Sequence, residues 1–296
     1  MGGPVERLKR GRLATRLAGL SRRRRVLGMG VALIVAAAAA GSAVAAVRAG
    51  GDDAAMRAGG ADAAGQARDR AGRPAGPAQD RPGPVLLVPG YGGSTGSLDL
   101  LASRIRAAGR EATVVQLPGA GTGSLIADAA VLNAAVGRAL HRGAPSVDVI
   151  GYSAGGVVAL IWARRDDGAA AARRIVTLGA PFHGTQLAAA AQAFLPGACP
   201  AACRQLIPGS TLLGSLDVTS AAGLPHWLSL WTTDDTVVTP PDSARLPGAI
   251  DVPVQAVCPA LNISHSQLPT NPVVVAMVLT AIGRSPLRQP SPAACH

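Results

Sequence analysis

The chain has 296 residues, a formal net charge of +11 and only three Trp, two Tyr and two Phe, a length that admits one domain with a full core plus additional segments. The charge is uneven: residues 1–82 hold 15 of the 28 basic and 6 of the 17 acidic side chains, a net of +9, while residues 83–296 hold 13 and 11, a net of +2. The body therefore offers neither a basic face nor an aromatic stacking platform, which argues against nucleic acid as a partner.

In chain order, residues 1–47 read as a signal peptide or signal anchor. Arg7, Lys9, Arg10, Arg12 and Arg16 lead to the run Arg22-Arg23-Arg24-Arg25, and the uncharged stretch Val26 to Val47 follows with small-residue sites such as Ala43-Val44-Ala45. Arg23-Arg24-Arg25-Val26-Leu27 loosely fits a twin-arginine export signal. The uncharged stretch is long enough to span a bilayer, but its Ala and Gly make insertion weak, so cleavage is expected over anchoring. Either outcome places the body outside the cytoplasm, secreted or tethered. Residues 48–82, rich in Ala, Gly, Arg, Asp and Pro without apolar periodicity, read as a disordered linker.

Residues 83–296 form the expected folded domain. Apolar runs predict strands at Val85–Val88, Thr113–Leu117, Val147–Ile150, Ile175–Leu178, Leu228–Trp231 and Val252–Val257, and helices fall near 97–108, 124–141, 155–165 and 270–283. Short strands alternating with helices predict an α/β fold: a mostly parallel central sheet with helices on both faces. Segment 186–223, with Pro196, Pro200, Pro208 and several glycines, breaks the rhythm and reads as an insertion over the sheet's carboxyl edge. That edge is where sites in such sheets are built.

The strand Val147–Ile150 runs into Gly151-Tyr152-Ser153-Ala154-Gly155, a G-x-S-x-G elbow with a helix behind it. A sharp strand-to-helix turn lifts the serine hydroxyl out of the sheet, and glycine on both sides lets strand and helix pass closely. A serine nucleophile needs a base and an orienting acid, in the chain order Ser, acid, His. Of the histidines after Ser153, His183 directly follows a strand, His226 precedes one and His296 is the last residue; His265, between the last strand and the last helix, stands where the base belongs. The acid should follow the strand Leu228–Trp231, where Asp234 and Asp235 are adjacent and spacing does not separate them. Asp217, Asp242 and Asp251 are less well placed. An oxyanion hole would take one backbone N–H from Ala154 and one from the loop Pro89-Gly90-Tyr91-Gly92-Gly93, which lacks the spacing of a dinucleotide loop.

All four cysteines, Cys199, Cys203, Cys258 and Cys295, lie in this body, and export makes two disulfides natural. Of three possible pairings, Cys199–Cys203 and Cys258–Cys295 are expected; the longer loop would contribute about 4 kcal/mol in the chain-entropy model. No Cys/His spacing suits zinc, so no metal site is expected.

Four stretches together resemble secreted lipases and esterases of the α/β-hydrolase fold, of the Candida lipase B type and its bacterial relatives. They are Val85-Leu86-Leu87-Val88-Pro89-Gly90-Tyr91-Gly92, Gly151-Tyr152-Ser153-Ala154-Gly155-Gly156, Thr232-Thr233-Asp234-Asp235-Thr236-Val237-Val238-Thr239-Pro240, and Val254-Gln255-Ala256-Val257-Cys258 with His265. The resemblance implies that Asp235 is the acid, and it supports the Cys258–Cys295 pairing. It departs at Tyr91, where the family has a small hydroxyl residue, so only the Tyr91 backbone N–H carries over; it departs again at Ile263-Ser264 and Gln267, and segment 186–223 has no counterpart. What it implies is an exported, monomeric carboxylic ester hydrolase with the triad Ser153, Asp235 and His265 and the oxyanion donors Tyr91 and Ala154. The substrate would be an ester or lipid, including one at an oil–water interface, and no cofactor would be required. An acyltransferase and a non-catalytic surface protein on the same scaffold are the alternatives.

Overall fold

The computed structural model describes residues 81–295 except Asp167 and Asp217. The segments read as signal and as linker thus lie outside the described residues apart from Arg81 and Pro82, as does His296. Six strands form one sheet in the order β2-β1-β3-β4-β5-β6: β1 (Val85–Val88), β2 (Ala112–Val114), β3 (Val147–Tyr152), β4 (Ala172–Leu178), β5 (His226–Trp231) and β6 (Ile250–Pro253). Every neighbouring pair is parallel. Parallel strands need crossovers, and helices supply them on both faces.

One face carries α2 (Leu125–His141) and α3 (Ala154–Arg165), the other α1 (Gly96–Ala107) and α5 (Pro272–Ala281). On α2 the buried residues Leu125, Ala129, Leu132, Val136 and Ala139 recur at helical spacing and make a single apolar stripe. Helix α3 is buried nearly all round, from Ala154 to Ala163. That explains its run Val157-Val158-Ala159-Leu160-Ile161-Trp162, because it lies against the sheet centre and is covered in turn by α2.

The insertion forms α4 (Gln186–Phe194) and short helical turns at Ala201–Gln205 and Thr211–Ser215. It is tied to loops leaving the carboxyl ends of two strands: Ala202 N–H donates to Thr122 O at 3.1 Å, and Gln186 N–H donates to Thr239 O at 2.8 Å. The segment thus bridges the connections after β2 and after β5. Cys199 pairs with Cys203 inside it, and Cys258 pairs with Cys295 at the far end of the chain.

Two strand expectations are corrected. The run Val252–Val257 is not one strand: β6 ends at Pro253, and Val254–Val257 is a helical turn with Pro253 at its N-cap. A short apolar run does not distinguish strand from buried helix, and proline suits the entry to a helix. Cys258 therefore follows a helical turn and not a strand. Thr113–Leu117 shortens to Ala112–Val114; β2 is an edge strand, and the chain leaves it before Pro118.

Candidate functional site

The end of β3 turns into α3 through Ser153, whose backbone sits at φ 53° and ψ −127°. Ser153 and Ala120 are the two non-glycine residues at positive φ among the described residues. A serine held there costs energy that surrounding packing must offset, and such residues cluster at functional sites. The packing is visible in the glycines: a Cβ on Gly151 would lie 2.6 Å from Gly155 O and Gly156 Cα, and a Cβ on Gly155 would drive into Val88 O. The turn exists because neither residue has a side chain. Ser153 N–H donates to Leu178 O at 2.9 Å, which fastens the turn to β4.

The loop after β1 lies on top of the serine. A Cβ on Gly90 would stand 2.9 Å from Ser153 Cβ and 3.4 Å from its Oγ. Among the described residues neither the Tyr91 N–H nor the Ala154 N–H donates a hydrogen bond, and the latter is an orphan donor of the first turn of α3. The Tyr91 side chain packs against the core on the α2–α3 face; burial raises the pKa of its hydroxyl, which has no partner among the described residues.

Beyond β5 the chain turns at Thr232, and Asp235 and its neighbour Asp234 face opposite ways. Asp234 is exposed. Asp235 is 5% exposed; its Oδ1 accepts from Val237 N–H at 2.9 Å and Val238 N–H at 2.8 Å, and its Oδ2 meets His265 Nδ1 at 2.7 Å. His265, also 5% exposed, opens a helical turn ahead of α5. The carboxylate can accept only if Nδ1 carries the proton, which leaves Nε2 as an acceptor. The imidazole lies 5.2 Å from the ring of Tyr152, the residue before Ser153. It also packs beside Gly179, where a Cβ would come within 3.0 Å of Nδ1. Among the described residues Ser153 and His265 share no hydrogen bond. The Tyr152 hydroxyl donates to His265 O at 3.4 Å, and its pKa is raised by burial and secondarily by the charge of Asp235.

The other histidines fall elsewhere. His183 is exposed and lines a cavity of about 650 Å³ with Gln186, Asp242 and Arg245. His226 is exposed at the start of β5, the opposite end of that strand from Asp235. Asp251 accepts from Leu246 N–H through both carboxylate oxygens and has no hydrogen bond to a histidine among the described residues. No group of three or more His, Cys, Asp or Glu side chains suited to a metal ion occurs among the described residues.

Two side chains that spacing does not single out join the loops of Asp235 and His265. Thr232 Oγ1 donates to Ile263 O at 2.9 Å, and Gln255 Nε2 donates to Thr232 Oγ1 at 2.8 Å. Both lie in stretches that carry the lipase resemblance, the sole sequence signal pointing to them.

The fold is that of the α/β-hydrolases, and solved lipases share it. Aspergillus fumigatus lipase B superposes with a TM-score of 0.56 at 17% identity, over 72% of this chain and 54% of the lipase. Bacillus licheniformis lipase BlEst2 in its mature form gives 0.55 at 17% identity, over 68% of this chain and 91% of the lipase. This chain thus spans little more than half the length of the first and nearly all of the second. No family model matches the sequence, and no curated protein matches it either.

Proposed function

We propose that this chain, an α/β-hydrolase by fold, is an exported serine hydrolase that cleaves carboxylic esters, with lipid esters as the preferred class. The observation that carries the reading is the buried Asp235–His265 pair, 2.7 Å apart, packed beside the residue preceding a serine held at positive φ. Ser153 Oγ attacks the ester carbonyl while His265 Nε2 takes its proton. The tetrahedral oxyanion is held by the N–H groups of Tyr91 and Ala154. His265 returns the proton to the departing alcohol, leaving an acyl-serine. Water, deprotonated by the same imidazole, releases the acid and restores Ser153. Asp235 keeps the imidazole tautomer and stabilises the imidazolium. These steps draw on side chains and backbone alone.

Several features support an apolar ester. Phe194, one of two phenylalanines, is 74% exposed beside Leu195 in the insertion, and Val237 is exposed in the Asp235 loop. Two solved proteins that share the fold are named lipases. Export is supported by the two disulfides, which persist in oxidising compartments; no described helix is long and apolar enough to cross a membrane. Hydrolysis of p-nitrophenyl esters from short to long chains, with and without an oil interface, tests the substrate class. Ser153→Ala should lose turnover and labelling by an organophosphonate, leaving about 10³–10⁴ over water from binding and the oxyanion hole. Retention of more than a few per cent of wild-type turnover would overturn the assignment. Transfer to an added alcohol in preference to water would make the enzyme an acyltransferase instead.

A further inference from the structure

The proposed acid and base sit on separate loops. Asp235 follows β5, and His265 follows β6 and the turn Val254–Val257. A carboxylate–imidazole contact of 2.7 Å across two independent loops needs something that fixes one loop against the other. We propose that Gln255, acting through Thr232, is the positioning residue that sets this spacing, an inference that rests on the hydrolase reading above.

The Gln255 side chain reaches both loops. Its Oε1 accepts from Thr233 N–H at 3.1 Å. Its Nε2 faces three acceptors: Thr232 Oγ1 at 2.8 Å, Asp234 Oδ2 at 3.2 Å and Leu261 O at 3.3 Å. The first two belong to the turn that leads into Asp235, and Leu261 belongs to the approach to His265. Only one orientation of the amide works. Turned over, it would set N–H against the Thr233 N–H and a carbonyl oxygen against the Asp234 carboxylate and the Leu261 carbonyl.

The same reasoning orients the Thr232 hydroxyl. Its oxygen accepts from Gln255 Nε2 and from Asp234 N–H at 3.2 Å, so its single proton goes to Ile263 O at 2.9 Å. Thr232 is fully buried. The chain of bonds therefore runs from the turn before Asp235, through one amide and one hydroxyl, to carbonyls two and four residues before His265. Every partner is fixed in role, which gives the network rigidity beyond that of one isolated hydrogen bond. Neither Gln255 nor Thr232 touches the reacting atoms; they act on the geometry of the pair that does.

The test uses three variants of the full protein. Gln255→Met preserves length and removes every polar contact, Thr232→Val preserves shape and removes the hydroxyl, and Thr232→Ser keeps the hydroxyl. Turnover is measured per active site titrated with an organophosphonate, alongside KM and melting temperature. Misplacement of catalytic groups by a fraction of an ångström should lower kcat by about tenfold to a hundredfold in Gln255→Met and Thr232→Val. KM should stay within about twofold, because binding of the ester does not use these groups. Thr232→Ser should recover most of the rate. A purely structural role would lower the melting temperature and the number of titratable sites while kcat per site stayed at the wild-type value, and that result would overturn the proposal. If Gln255→Met does not fold, the Val/Ser contrast at Thr232 decides by itself. Normal turnover per site in these variants with an inactive Ser153→Ala refutes the positioning role alone; an active Ser153→Ala refutes the hydrolase reading with it.

Discussion

The two ends of the sheet each bury an aspartate, and they treat it in opposite ways. At the amino end Asp148, fully buried on β3, is gripped by guanidinium groups: Arg110 at 2.8 Å, and Arg173 at 3.0 Å through Nε and 2.5 Å through Nη2. The same arginines, with Arg174, also donate to the carbonyls of Ala281, Ile282, Gly283 and Ser285. They thereby close the carboxyl end of α5, where unpaired carbonyls and the helix dipole both favour cations. At the carboxyl end Asp235 has two backbone N–H groups and a histidine. Arginine cannot give up its charge at any ordinary pH, and histidine can. The amino end is thus a fixed ionic clamp, and the carboxyl end pairs its carboxylate with the side-chain type suited to carrying protons. A third buried aspartate belongs to neither class. Asp128 on α2 is 2% exposed, its Oδ2 has no partner among the described residues, and burial raises its pKa to about 6.

This contrast can be broken by mutation. The largest effect is expected at the carboxyl end: Asp235→Asn should lower kcat by up to about 10⁴ by favouring the wrong imidazole tautomer, while the melting temperature moves little. Steady-state kinetics beside a thermal melt check both halves. Asp148→Asn should show the reverse. Removing one partner of a buried ion cluster costs roughly 3–5 kcal/mol, read as a lower midpoint in urea, while kcat per titrated site stays at the wild-type value. Equal loss of kcat and stability in both variants would erase the distinction between the two ends.

Asp128 sharpens it through pH. Its folded pKa is raised, so the protonated form is favoured in the native state. Its contribution to stability is fully present below the unfolded value of 3.8 and is lost as pH rises through about 6. The charged form is then disfavoured by up to roughly 3 kcal/mol. Asp128→Asn should therefore be more stable than wild type at pH 8, with the difference vanishing near pH 3. Urea melts at the two pH values measure this, and a gain of the same size at both would remove titration as its cause. The smallest effect is expected at Asp234. Being exposed, with a single bond from Gln255, it should lose about tenfold or less in kcat as Asp234→Asn. A larger loss than in Asp235→Asn would exchange the roles of the two aspartates.

Much of this molecule was legible from local sequence because the forces involved are local. The elbow is steric: Gly151 and Gly155 are required within five residues of each other, and the strained serine lies between them. The run Val85–Val88 is apolar throughout because β1 is buried on both faces. The cysteine pairing expected from export and chain position is the one the structure forms. The boundary at Val254 was not legible, because an apolar run has the same composition in a strand and in a buried helical turn.

What local spacing left open, and the tertiary structure shows, is which of two chemically equal neighbours is buried and which distant segments meet. Asp234 and Asp235 are identical in kind and adjacent in sequence. The turn that begins at Thr232 rotates one outward and buries the other against His265, thirty residues away. The arginine clamp joins residues 110, 148, 173 and 174 to carbonyls beyond residue 280, and no periodicity links positions so far apart. In the sequence Gln255 is one polar residue in an apolar stretch that carries the lipase resemblance, with nothing to assign it a role. Its role depends on two loops that meet only after the strands carrying them have taken adjacent places in the sheet. Short-range sterics and hydrophobic patterning act along the chain and leave their mark in it, whereas hydrogen-bond partners are chosen by spatial neighbourhood, which the assembled sheet alone determines.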